Sequence, residues 1–384
     1  MTPQHHSEVT LDPATPGHAT EDAVSQRREL SLVVMFVALA FALGWLVTLP
    51  LWLGDGLASR WFLVLSVALM ATPTIAALTV VLLVERPDRR AWSLGIWPLT
   101  PIRKVLGYGA LGIVVTIALV LAALPVGALL GVYPADFLNL SGAQQLLEQK
   151  GAAPGVLPVS VGVFVASQIA SLPVAAVLNV LPALGEEIGW RGWLLPKLMP
   201  LGTLPALLIS GAIWGLWHAP VILLGYNYPD APGWLALITM VGMCTVIGAT
   251  FGWLRLRSGS VWPAALAHAA YNGAAGTYLL FARAGEHVDT TRATILGWSG
   301  WIVPLLLVAV LLGTKQLAPP KDLSLGSSAH PEQNQGPRFG GGRGAPVASS
   351  QRRLKQVPGQ QISAAQTDVD NPVGGKSRAR RNPR

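Results

Sequence analysis

Glu186 and Glu187 stand side by side in Leu184-Gly185-Glu186-Glu187-Ile188-Gly189-Trp190-Arg191, at the end of a long apolar run. Charge is expensive in such a run and is rarely kept without a role. On a continuous helix Glu187 and Arg191 lie four residues apart on one face and can pair. Glu186 is turned about 100° away and faces something else. Two further polar sites fall inside apolar runs: His218, in Trp214-Gly215-Leu216-Trp217-His218-Ala219-Pro220, and His268, with Asn272 four residues on and on the same helical face. A carboxylate in an apolar cavity is a competent general base for water. A neighbouring imidazole can share and orient that water, and a His/Asn pair offers donors to a developing oxyanion. Together these groups describe the addition of water to an amide carbonyl, with Glu186, His218, His268 and Asn272 as the catalytic set. Glu186, His218 and His268 could equally hold a zinc ion whose bound hydroxide attacks; asparagine is a poor zinc ligand and suits the oxyanion role better. On sequence alone both readings stay open.

Every one of these residues also has a plainer role available. Glu187 and Arg191 read as a supporting pair that fixes a helix end. Trp190, Trp193, Trp214 and Trp217 read first as packing or interface aromatics, with Trp214 and Trp217 the candidates for a substrate pocket. Gln168 and Asn179 read as helix-to-helix glue, and an intramembrane histidine can serve the same purpose. Three polar sites at one depth are harder to explain in this way than any one of them.

The elements that must position this set are membrane helices. The chain has 384 residues, 52% hydrophobic and 12% charged, with a mean hydropathy of +0.48; that charged fraction is about half of a soluble domain's. Apolar runs near the roughly 20 residues a span needs fall at about 31–53, 61–84, 105–131, 159–184, 204–224, 234–254, 261–281 and 295–313. The expected fold is all-α: a polytopic bundle of about eight transmembrane helices in residues 30–313, between disordered tails 1–29 and 314–384. Pro158, Pro173 and Pro182 are positioned to kink or split the fourth run. The turn near Leu201-Gly202 is equidistant in sequence from Glu186 and His218, which places both about 24 Å along their helices from it. His268 lies about 14 Å in from the turn near Ser258-Gly259, so three helices can meet at one level.

Charge sets orientation and excludes one class of partner. The tail beyond Gly313 holds twelve basic and four acidic residues and so accounts for the whole net charge of +8. A nucleic-acid-binding face is therefore not expected; weak contact of the basic tail with anionic lipid is. Arg27 and Arg28, the Glu85–Lys104 loop, Arg191, Lys197, Arg255, Arg257 and the tail share one side by parity, which puts both termini in the cytoplasm. The polar start lacks a basic region leading into a short apolar one, so it does not read as a secretory signal. Cys244 is the single cysteine, which leaves no intrachain disulfide.

At these residues the sequence resembles the CPBP family of intramembrane proteases, the type II CAAX prenyl endopeptidase or abortive-infection family, which includes lysostaphin resistance protein A-like members. Its pattern is Glu-Glu-x-x-x-Arg, then Phe-x-x-x-His, then His-x-x-x-Asn/Asp. Glu186, Glu187 and Arg191 match the first motif. His218 matches the second, with Trp214 where phenylalanine is usual, and His268 and Asn272 match the third. The resemblance covers about 160–280. It implies that Glu186 and His218 activate water, that His268 and Asn272 stabilise the oxyanion, and that Glu187 and Arg191 support the site. It also implies a peptide or protein C-terminal substrate, an integral location in what is expected to be a bacterial inner membrane, and a metal question left open. The alternatives are a non-catalytic membrane scaffold or bacteriocin-immunity-type factor, and after that a transporter with a protonatable glutamate. The chain contains no His-Glu-x-x-His motif for a zincin-type site, and its Arg-Arg-Asn-Pro-Arg end is not a prenylation signal.

Overall fold

Each apolar run becomes helical; Pro50, Pro73, Pro125 and Pro173 lie inside continuous helices, while breaks fall beside Pro182 and Pro220. The computed structural model describes residues 16–149 and 160–318. The long helices are α1 (Pro16–Leu53), α2 (Phe62–Thr79), which a π-helical stretch continues through Val80–Glu85, and α3 (Ile102–Leu129). After the short helix Ser141–Gln149 come α4 (Val161–Leu178), α5 (Val180–Glu187), α6 (Thr203–Trp217), α7 (Gly233–Ser258), α8 (Trp262–Ala274) and α9 (Ile302–Gly313). Among the described residues the sole β contact is an isolated bridge between Ala135 and Ala282.

Two breaks shape the site. The fourth run splits at Asn179, between α4 and α5. Pro182 explains the position: a helical proline clashes with the carbonyl four residues earlier, here that of Leu178. α6 ends at His218 and a short helix, Ala219–Ile222, resumes after it. Pro220 disfavours helical geometry at the residue before it and loosens the chain there.

Among the described residues, five segments are long and apolar enough to cross a bilayer: Val24–Leu53, Phe62–Glu85, Ile102–Leu129, Val161–Leu178 and Gly233–Ser258, with the shorter apolar helices Thr203–Trp217 and Trp298–Gly313 beside them. The expected all-α polytopic bundle is what the structure shows, with the remaining expected runs divided into these shorter helices. The bundle's exterior is apolar, with Leu46, Leu63, Leu106, Val114, Val174 and Leu306 exposed, as a lipid-facing surface requires. α1 starts at Pro16, so residues 16–29 are helical rather than part of an unstructured lead-in. The remainder of that expected tail, and the expected tail from residue 319 onward, lies outside the described residues.

α7 is the most enclosed of the five spans and forms the axis of the bundle. Close approach on both sides of the site depends on glycine. A Cβ at Gly215 of α6 would stand 2.5 Å from the Val241 Cα of α7, and one at Gly189, just past α5, would stand 2.6 Å from the Pro73 side chain of α2. Small residues at such crossings let membrane helices pack backbone to backbone.

Candidate active site

α5 delivers both acids to the centre of the bundle. Glu186 is 2% exposed, and Glu187 and Arg191 are buried beside it. The spacing argument holds: Arg191 Nη1 donates to Glu187 Oε1 at 2.8 Å. The helix does not stay α through the pair, however, because Ile188–Leu194 is π-helical. Such wide turns cluster at functional sites and leave backbone carbonyls without their usual partners. Arg255 Nε, reaching from α7, donates to the Arg191 carbonyl at 3.1 Å.

Glu187 does more than close an ion pair. The same Oε1 receives the Nδ1–H of His268, at 2.9 Å. Arg191, Glu187 and His268 thus form a buried chain from the π turn to α8. Phe251 of α7 stacks on the His268 ring, with centroids 5.5 Å apart and planes at 21°. A histidine held at Nδ1 and stacked on one face has Nε2 as its remaining ring nitrogen.

The Trp214 side chain is the hub. Its indole Nε1–H donates to Glu186 Oε2 at 2.7 Å. Its ring lies edge-on to His268 at 5.3 Å and to His218 at 5.7 Å, and the Arg191 guanidinium sits over it, 4.3 Å from the centroid. Trp214 is buried, so the structure places it under the carboxylate rather than on an open pocket wall. Trp217 is buried as well; it packs edge-on to His218 at 4.8 Å and donates to Thr72 Oγ1 of α2 at 3.2 Å. His218 Nδ1–H donates to the Trp214 carbonyl at 2.9 Å, which leaves its Nε2 lone pair outward.

The cluster therefore gathers Glu186, Glu187, Arg191, Trp214, His218 and His268. Asn272 stands apart. It is exposed on α8, one turn beyond the buried His268, and makes no hydrogen bond among the described residues. Gln168 and Asn179 are exposed too and do not act as glue: the Asn179 amide bonds only the Ala175 carbonyl of its own helix. The roles of Arg255, Phe251, Thr72 and Thr74 carried no sequence signal. Thr74 Oγ1 donates to the Gly185 carbonyl at 2.6 Å, bracing α5 one residue before Glu186. Arg255 was legible only as a loop cation, yet it lies buried on α7.

Anchoring at Nδ1 is also what a zinc-binding histidine has. Among the described residues, though, no three His, Cys, Asp or Glu side chains come together as a metal-ligand cluster. A cleft of about 450 Å³ lies between the 142–149 and 278–290 segments and shares no residue with the cluster. The polar cluster sits in a packed centre.

Residues 168–274 match the family model described as Rce1-like type II CAAX prenyl endopeptidases. The matched stretch contains every motif residue named above and bears out the family resemblance over that stretch. No curated protein matches the chain.

Proposed function

We propose that this integral membrane protein is an intramembrane endopeptidase of the CAAX-protease kind, hydrolysing a peptide bond near the cytoplasmic leaflet with water activated by Glu186 and His218. The observation that carries the reading is the convergence on Trp214 of an acid from α5, a histidine from the end of α6 and a histidine from α8. One Glu186 oxygen is occupied by the indole, and the other takes no bond from the described residues. That oxygen and the His218 Nε2 are the two acceptors available to a water. The carboxylate removes a proton as the water attacks the carbonyl carbon, and returns it to the departing amine.

His268 and Asn272 face the developing oxyanion in this reading. With Nδ1 committed to Glu187, His268 approaches the oxyanion through its Nε2 edge. Asn272, exposed one turn beyond His268 on α8, offers its amide to a substrate carbonyl approaching from outside. The substrate is a peptide or protein C-terminal segment.

The test is a comparison of protein termini in membranes holding wild type or Glu186→Ala. New termini that vanish in the variant are expected, with a rate loss on the order of 10²–10⁴-fold for removal of a general base. Identical termini in both would sink the reading and favour a scaffold. Added zinc chelator is expected to leave the Glu186-dependent termini in place; their loss, restored by zinc, would overturn the metal-free mechanism.

A further inference from the structure

Resting on that reading, we infer that Trp214 is a positioning residue for the reaction: its indole N–H fixes the Glu186 carboxylate so that Oε1 alone is presented to water. The two acids offer four oxygens, and the structure treats each differently. Glu187 Oε1 is shared by Arg191 and His268, and Glu187 Oε2 is sealed without a partner. Glu186 Oε2 takes the indole N–H at 2.7 Å. Glu186 Oε1 takes no hydrogen bond from the described residues and is not among the sealed, unpartnered oxygens, so it is the oxygen left for a water.

A free glutamate side chain would sample several rotamers and present either oxygen. The indole removes that freedom, because it cannot move itself. Its face is covered by the Arg191 guanidinium at 4.3 Å and its neighbour Phe251 lies 6.0 Å away, centroid to centroid. Behind it, the residue's own carbonyl holds His218 Nδ1. One residue therefore orients both groups that share the water: the acid through its side chain and the imidazole through its backbone. Phenylalanine, usual at this position of the motif, could supply the backbone acceptor and the packing but not the N–H. This chain's tryptophan adds a donor to the acid that does the chemistry.

Trp214→Phe separates the two contributions, since it keeps the ring and the carbonyl and deletes the N–H. In the full-length protein in lipid nanodiscs, Trp214→Phe is expected to form the Glu186-dependent termini at least about 10-fold more slowly, the size of one charge-assisted hydrogen bond, a larger loss than its change in melting temperature accounts for. A wild-type rate in Trp214→Phe would overturn the inference while leaving Glu186 catalytic. The second readout needs no substrate. With ¹⁵N-labelled indoles, the signal that disappears in Trp214→Phe is expected far downfield in wild type and to move upfield in Glu186→Ala. An indole signal indifferent to Glu186→Ala would overturn the inference outright. If instead the indole signal moves but no Glu186-dependent terminus exists, the hydrolase reading fails and the positioning role falls with it.

Discussion

Glu187 and His268 share a hydrogen bond, yet their removal should affect stability differently. Glu187→Ala leaves the Arg191 guanidinium, 1% exposed, without its counter-charge. Uncovering a buried charge in this way costs on the order of 3–5 kcal/mol, so Glu187→Ala is expected to lose most of its stability and its activity together. His268→Ala keeps the Arg191–Glu187 pair intact at 2.8 Å. It is expected to unfold close to wild type and to cleave at least roughly 10²-fold more slowly, the usual worth of an electrostatic donor at the transition state. Thermal unfolding in detergent alongside the termini assay separates the two variants. Equal destabilisation by both would show that the chain from Arg191 to His268 is structural only. Part of this was legible in sequence: four-residue spacing predicted the Arg191–Glu187 pair, and apolar context marked both histidines. The third member was not, because the bond from Glu187 to His268 spans 81 residues and depends on how α5 and α8 pack.

At the scale of elements, the break beside Pro182 was legible, and the π turn and the stop at His218 were not. Counting residues from the Gly202 turn predicted that Glu186 and His218 stand level, and Trp214, one helical turn before His218, does touch Glu186. The π turn at Ile188–Leu194 and the stop at His218 arise from local crowding against α2 and from Pro220, which hydropathy does not report. The α6–α7 crossing carries the heaviest demand. Its glycine is one residue after Trp214 and three before His218, so any displacement of α6 moves both site residues. Gly215→Val would put atoms into the Val241 backbone, where a Cβ already stands 2.5 Å from Cα. Overpacking of this kind costs about 1–3 kcal/mol. The expected outcome is a folded, less stable protein whose cleavage rate falls further than its stability explains. A full rate at reduced stability would show that the site tolerates displacement of α6.

At the scale of the whole molecule, the contacts sort the loops into two sets, and that sorting carries the orientation argument. Lys197, past the motif helix, binds Glu29 of α1 at 2.8 Å and also Glu85 at the end of α2. Val261 N–H, at the start of α8, donates to the Gly95 carbonyl in the loop between α2 and α3. These are the segments that the basic-residue pattern grouped on one side. The other loops meet each other as well: Asp230 with His287 at 2.7 Å, Asn227 with Thr290, and Arg283 N–H with the Pro134 carbonyl. These loop contacts agree with the two groups, and the assignment of one group to the cytoplasm rests on charge. Cys244 makes that choice measurable, because the single native thiol is fully buried and should stay silent. A thiol placed by Arg89→Cys is expected to react with a membrane-impermeant reagent in inverted vesicles and not in intact cells. His287→Cys is expected to do the reverse, since both positions are exposed on opposite loop sets. The opposite labelling pattern would place the Lys197–Glu85 end of the bundle outside and would remove the cytoplasmic leaflet from the proposed reaction, while leaving the chemistry at Glu186 as described.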